Sequence, residues 1–173
     1  MTMADPIDIS EVSGCTCLRA RRMARQLTQA YDQALGSVGL TVNQFGLLAK
    51  LYGATQNGRK GLPIGALADR LGMHPTTLTR DLKPLQAQDL IAEAVDASDR
   101  RVRAVIITGK GRAKLRKAVP SWRRAQKRLE AALGGDVARA LNDILDLAST
   151  KLRGRGVDSR KRPTSGRGPG RSI

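Results

Sequence analysis

Four side chains between positions 76 and 83 have the types and spacing to grip a polyanion. On a helix turning about 100° per residue, Thr76, Thr79, Arg80 and Lys83 fall within a sector of roughly 100°. That sector holds two hydroxyls, a guanidinium and an ammonium, and no carboxylate. A hydroxyl both donates and accepts, and a guanidinium is a fork that matches either a phosphate or the O6/N7 edge of guanine. An ammonium serves phosphate as a point charge. Leu78, Leu82 and Leu85 occupy a sector of roughly 60° on the other side, so the run from His74 to Ile91 reads as a helix with a buried leucine underside. An ordinary solvated helix face is the plain alternative, and the flanking elements decide between the two.

Before this helix, residues 63–72 (PIGALADRLG) carry a proline suited to a helix start, apolar residues at Ile64, Leu67, Ala68 and Leu71, and a terminating glycine. Pro75 follows at the first position of the next helix, where its missing N–H does no harm. Helix, tight glycine turn, helix is the helix-turn-helix arrangement. After it come two short β-branched runs, Leu90 to Val95 and Val102 to Thr108, expected to pair as a hairpin around a loop holding Asp99, Arg100 and Arg101. A basic loop beside such a helix can reach an adjacent minor groove or phosphate. In order and spacing these segments resemble the winged helix-turn-helix of the MarR family of transcriptional regulators. Asp99-Arg100-Arg101, then Thr108 and Gly111, match the family's D-R-R…L-T-x-x-G pattern, with Ile107 where leucine is usual.

The resemblance covers roughly Cys15 to Leu152. It implies a mainly α fold with a small β-hairpin wing, in which a winged helix-turn-helix lobe (residues 41–108) is joined to a helical dimerisation arm built from both chain ends (15–38 and 109–152). It also implies a homodimer on a pseudo-palindromic double-stranded operator, with Thr76, Thr77, Thr79 and Arg80 meeting bases and phosphates. His74, Lys83, Arg100 and Arg101 complete the expected DNA-contact set. One wing arginine is expected to pair with Asp99 while the other stays free for the groove. The family often binds small aromatic acids or phenols between arm and lobe, and Tyr31 and Trp122 are candidates to line such an effector pocket. Core packing is the alternative for both.

Composition supports an anionic partner. The 173 residues hold 31 Lys and Arg against 15 Asp and Glu, a net +16, and aromatics are 2%, so the core must be aliphatic. The excess is uneven: residues 1–14 sum to −3, 111–133 to +7 and 153–173 to +6. This favours a second reading, a weakly selective architectural DNA-binding protein driven by the basic helix and tail. Nothing approaches 18 uninterrupted apolar residues, and the acidic N-terminus has no cationic signal-peptide start, so a cytoplasmic protein without a membrane partner is expected. No phosphate-loop, dinucleotide or zinc-protease motif occurs, and a single His cannot build a His-based metal site, so neither enzyme, cofactor nor metal is implied.

Along the chain, residues 1–14 show no period and read as a flexible acidic arm. A helix is expected from Cys15 to Leu35, ended by Gly36 and Gly39. Thr41 and Gln44 stand as a capping box, and Leu40 and Phe45 as a hydrophobic staple, for a helix from Val42 to about Tyr52. A polar loop, Gly53 to Gly61, follows. Two features weaken the recognition helix: His74 is a poor N-cap type, and Pro84 should bend or loosen the helix after Lys83. Thr108 should cap a long helix with Leu115, Val119, Trp122, Leu129 and Leu133 on one side and a kink at Pro120. Asp136 opens a last helix carrying Val137, Leu141, Ile144, Leu145 and Ala148 on its apolar side, and 153–173 is a basic tail expected to be disordered. Cys15 and Cys17, if both helical, project about 160° apart, which suits a disulfide badly. The neighbouring arginines leave thiol-based oxidant sensing and inert packing both open.

Overall fold

The computed structural model describes residues 9–57, 61–95 and 103–154, and the chain divides into two compact units, 1–128 and 129–173. Within the first unit, α1 (Ile9–Ser13) is a short helix where the sequence predicts an irregular arm. Helix α2 (Thr16–Leu35) follows Cys15, which is its N-cap rather than part of it. A short 3₁₀ turn (Gly36–Val38) and a left-handed Gly39 then reverse the chain.

Helix α3 (Val42–Gln56) begins with the expected capping box: Thr41 Oγ1 accepts from the Gln44 amide at 3.2 Å and Gln44 Oε1 accepts from the Thr41 amide at 3.0 Å. It runs about one turn past the predicted end, through Gly53. Leu47, Leu51 and Ala54 lie on one face and are buried, and that burial outweighs the roughly 1 kcal/mol helix penalty of a glycine.

Leu62 and Pro63 form β1, a strand the sequence reading did not contain. It pairs antiparallel with β3 (Arg103–Ile107), which pairs antiparallel with β2 (Ile91–Val95), so the expected hairpin is a three-stranded sheet in the order β1-β3-β2. Pro63, which lacks an N–H, lies on an edge strand, where proline is tolerated.

Helix α4 (Ile64–Leu71) ends at Gly72, whose left-handed φ of 64° lets the Met73 amide reach back to the Ala68 carbonyl. Helix α5 (Pro75–Ala87) continues through Pro84, contrary to the expected loosening after Lys83. The bond that Pro84 cannot make lies on the exposed side, where water can serve the carbonyl, while Leu78, Leu82 and Leu85 hold the opposite side in the core. Past its end Asp89 takes a left-handed φ of 56°, and the Leu90 and Asp89 amides bond back to the Leu85 and Gln86 carbonyls.

Helix α6 (Gly109–Leu133) is continuous through Pro120 and crosses from one unit into the next. Its buried residues are Gly111, Leu115, Ala118, Ser121 and Ala125, with Val119 and Trp122 half-buried. The buried face is therefore rotated from the predicted leucine side toward small residues, which let the helix backbone come close to the lobe.

The core is aliphatic, as the composition requires: Leu35, Leu47, Leu48, Leu51, Leu62, Leu67, Leu78, Leu85 and Val105 are fully buried, and Phe45 stacks on Trp122 at 5.8 Å between ring centres. In the second unit, α7 (Gly135–Gly154) reaches two residues into the segment read as tail. No helix among the described residues is long and apolar enough to cross a membrane.

Candidate nucleic-acid interface

Helix α5 presents Thr76, Thr79, Arg80 and Lys83 to solvent, and Thr77 beside them is half-buried. The leucines beneath fix which side this is, since rotating α5 would expose three fully or nearly fully buried side chains, each worth about 1.5–3 kcal/mol of burial. Thr79 Oγ1 donates to the Pro75 carbonyl at 2.9 Å, so its hydroxyl hydrogen is engaged and its methyl and oxygen lone pairs are what remain for a partner. Arg80 Nε lies 3.7 Å from Asp81 Oδ1, but the arginine side chain is 76% exposed, and such a pair yields readily to a phosphate or base.

His74 is a working cap after all. Its Nδ1 accepts from the Thr76 amide at 3.4 Å and lies 2.8 Å from Thr76 Oγ1. The imidazole thus does locally what Asp or Asn does at other helix starts, while holding the Thr76 side chain in place.

At the base of the wing, one carboxylate joins three elements. Glu93 on β2 accepts from Arg103 on β3 at 2.7 Å and from Gln86 near the end of α5 at 3.2 Å. The Arg103 hydrogen bond, then the Gln86 one, holds the Glu93 carboxyl below its ordinary value. Arg100 and Arg101 lie outside the described residues.

The joint between sheet and α6 explains the T-x-x-G spacing. Thr108 Oγ1 accepts from the Gly111 amide at 3.0 Å and donates to the Asp89 carbonyl at 2.7 Å. A Cβ on Gly111 would stand 2.0 Å from the Leu90 carbonyl oxygen. The motif is therefore a structural joint that sets α6 against the turn following α5.

On α6 itself, Lys110, Arg112, Arg116, Lys117, Arg123, Arg124, Lys127 and Arg128 are all exposed. Between α3 and α6 lies a cleft of about 320 Å³ lined by Phe45, Ala49, Tyr52, Arg112, Leu115, Arg116 and Val119. Tyr31 and Trp122 are not among the lining residues. Tyr31 donates to Gln126 Oε1, and Trp122 stacks on the Phe45 ring. The signal for the cleft was present as apolar spacing at 45, 49 and 52 and cation spacing at 112 and 116, but no one-helix pattern shows that two helices face each other.

Cys15 is half-buried at the α2 N-cap with ψ 116°, and Cys17 is exposed on the helix. Because Cys15 precedes the helix, the 160° separation expected of two helical positions does not describe this pair.

No protein-family model and no curated protein matches the sequence. Solved structures do. The transcriptional regulator MosR of M. tuberculosis, crystallised in complex with DNA, is 40% identical with a TM-score of 0.68, over 82% of this chain and 98% of its own. The transcriptional repressor CouR, bound to a 23-mer DNA duplex, is 25% identical with a TM-score of 0.68, over 84% of this chain and 99% of its own. MarR of E. coli shares the fold at 18% identity and a TM-score of 0.62, over 78% of this chain and 96% of its own.

Proposed function

The chain belongs to the MarR family of transcriptional regulators, and from that premise we propose that it is a homodimeric repressor that recognises a pseudo-palindromic operator in double-stranded DNA. The observation that carries this is the solvent face of α5: hydroxyls and cations at helical spacing, on a helix pinned by Leu78, Leu82 and Leu85. In this reading α5 enters the major groove, with Thr76, Thr77, Thr79 and Arg80 at base edges and phosphates and His74 and Lys83 on phosphate. The loop bearing Arg100 and Arg101 takes the adjacent minor groove.

Dimerisation is assigned to helices outside the winged lobe. On α7, Val137, Leu141, Ile144, Leu145, Ala148 and Leu152 fall within a sector of about 100°, and Val137, Ile144, Leu145 and Leu152 are exposed in the single chain. A contiguous apolar stripe of that kind marks an interface. The domain assignment follows: 15–38 and 109–152 as arm, 41–108 as DNA-binding lobe.

The basic face of α6 favours one alternative, an architectural protein held by phosphate charge alone. Specific-to-random affinity measured across a salt series separates the two. A regulator keeps a ratio of about 10³ or more at physiological salt, whereas a coater falls toward equal affinity for all duplexes with a steep salt slope.

The cleft between α3 and α6 is assigned to a small aromatic acid, its apolar floor taking the ring and Arg112 and Arg116 the carboxylate. Such a ligand releases DNA to the extent that it prefers the form whose recognition helices misfit the operator. With benzoate as probe, the wild-type complex should dissociate on titration. The Arg112→Ala, Arg116→Ala double variant should need about tenfold more benzoate, the loss expected for one charge-assisted contact. Equal sensitivity in both proteins would remove the cleft from the account. Cys15 and Cys17 are retained as a candidate oxidant-sensitive start of α2.

A further inference from the structure

One contact crosses from the last turn of α2 to the first turn of α3. Asp32 Oδ1 accepts from the Val42 amide at 2.6 Å, and Asp32 is half-buried. The other α3 start contacts are local: Thr41 Oγ1 takes the Gln44 amide and the Thr41 carbonyl takes the Phe45 amide. Asp32 alone among these reaches the helix from another helix, with a carboxylate that suits both a free N–H and the positive end of the α3 dipole. Its neighbour Tyr31 bonds Gln126 on α6, and Ser37 approaches Ser121 on α6 at 3.5 Å. The end of α2 is thus tied to two helices at once, by adjacent residues.

We propose that Asp32 is a positioning residue for operator recognition: through the Val42 amide it sets the angle between α2 and the winged lobe, and with it the separation of the two recognition helices. This rests on the dimeric reading above, in which α2 belongs to the arm and α3 to the lobe. The lever is long. Twenty residues of α2 span about 30 Å, so a tilt of about 7° at the Asp32 end moves the far end by about 3.5 Å, the rise of one base pair. The intervening loop holds a 3₁₀ turn and a left-handed Gly39, Leu35 and Leu40 beside it are buried, and the Asp32 carboxylate adds the polar contact that runs directly from α2 to the start of α3.

The test uses a duplex selected by the wild-type protein from a random pool, and the same duplex with its central spacer lengthened or shortened by one base pair. Wild type should prefer the selected spacing by about tenfold or more. Asp32→Ala should bind the selected duplex about tenfold more weakly, the effect of losing one hydrogen bond to a charged group, and should discriminate poorly between spacings. Its random-DNA affinity and salt slope should match wild type. Asp32→Asn keeps an acceptor oxygen and should retain most of the spacing preference, and circular dichroism confirms that each variant is folded. Full spacing preference in Asp32→Ala, or a proportional loss on every duplex including random DNA, would overturn the proposal while leaving the dimeric reading intact. A wild-type protein indifferent to spacing would remove both.

Discussion

Gly111→Ala is expected to destabilise the protein by about 3 kcal/mol, a large share of the roughly 5–15 kcal/mol that holds an ordinary domain together. The added Cβ would lie 2.0 Å from the Leu90 carbonyl oxygen, 2.9 Å from Ile107 Cγ1 and 3.0 Å from the Leu90 carbonyl carbon. Two of those three atoms are backbone, and the Leu90 carbonyl is already committed: it accepts from the Thr108 amide at 3.1 Å. Relief by moving Leu90 breaks the joint; relief by moving α6 strips Leu115 and Ala118 from the core. Gly109→Ala, two residues earlier on the same helix, meets nothing within 4 Å and should be neutral or mildly stabilising. Urea unfolding of both variants checks this, reading midpoint at constant slope. Equal stability of the two would show that α6 does not sit as close to the turn as described.

Arg80→Ala is expected to cost about 1–3 kcal/mol on the cognate operator, roughly 5- to 150-fold in affinity. The loss on random duplexes should be much smaller, because what disappears is a bidentate contact to a base edge. Lys83→Ala, one turn along, should behave differently: a uniform weakening on all duplexes and a salt slope lower by about one, as for a single phosphate contact. Titrations of both variants on cognate and random DNA at several salt concentrations separate the two roles. If Arg80→Ala loses affinity equally on both duplexes, Arg80 holds phosphate and base reading must be assigned elsewhere on α5.

Much of this was legible in the residues because the signals are local. The capping box at Thr41 and Gln44 needs three residues to be seen, and the structure has it. The leucine underside of α5 needs eight, and it is buried as spaced. What escaped depends on partners far away in sequence. Two residues at Leu62 and Pro63 have no periodicity, and they become a strand because β3 offers an edge. Gly53 reads as a stop, yet buried Ala54 carries the helix past it. Pro84 reads as a bend or loosening and Pro120 as a kink, and both helices run on through them.

His74 is a poor cap type by its residue identity, and its Nδ1 reaches the Thr76 amide only at 3.4 Å. Among the residues proposed for function, the helix-face set was readable from spacing. The cleft was not, since Phe45 and Tyr52 meet Arg112 and Arg116 only once α3 and α6 are brought together. Tyr31 donates to Gln126 and Trp122 stacks on Phe45, and neither lines this cleft.

In the proposed function, two copies of α5 read one duplex. Sequencing the duplexes retained by the full-length protein from a random pool at physiological salt tests it most directly. An inverted repeat is expected, its half-sites centred about one helical turn apart, roughly 34–36 Å, and it should fade when Arg80→Ala protein is used. Recovery of a single unrepeated half-site, or of a pool no different from the input, would contradict it.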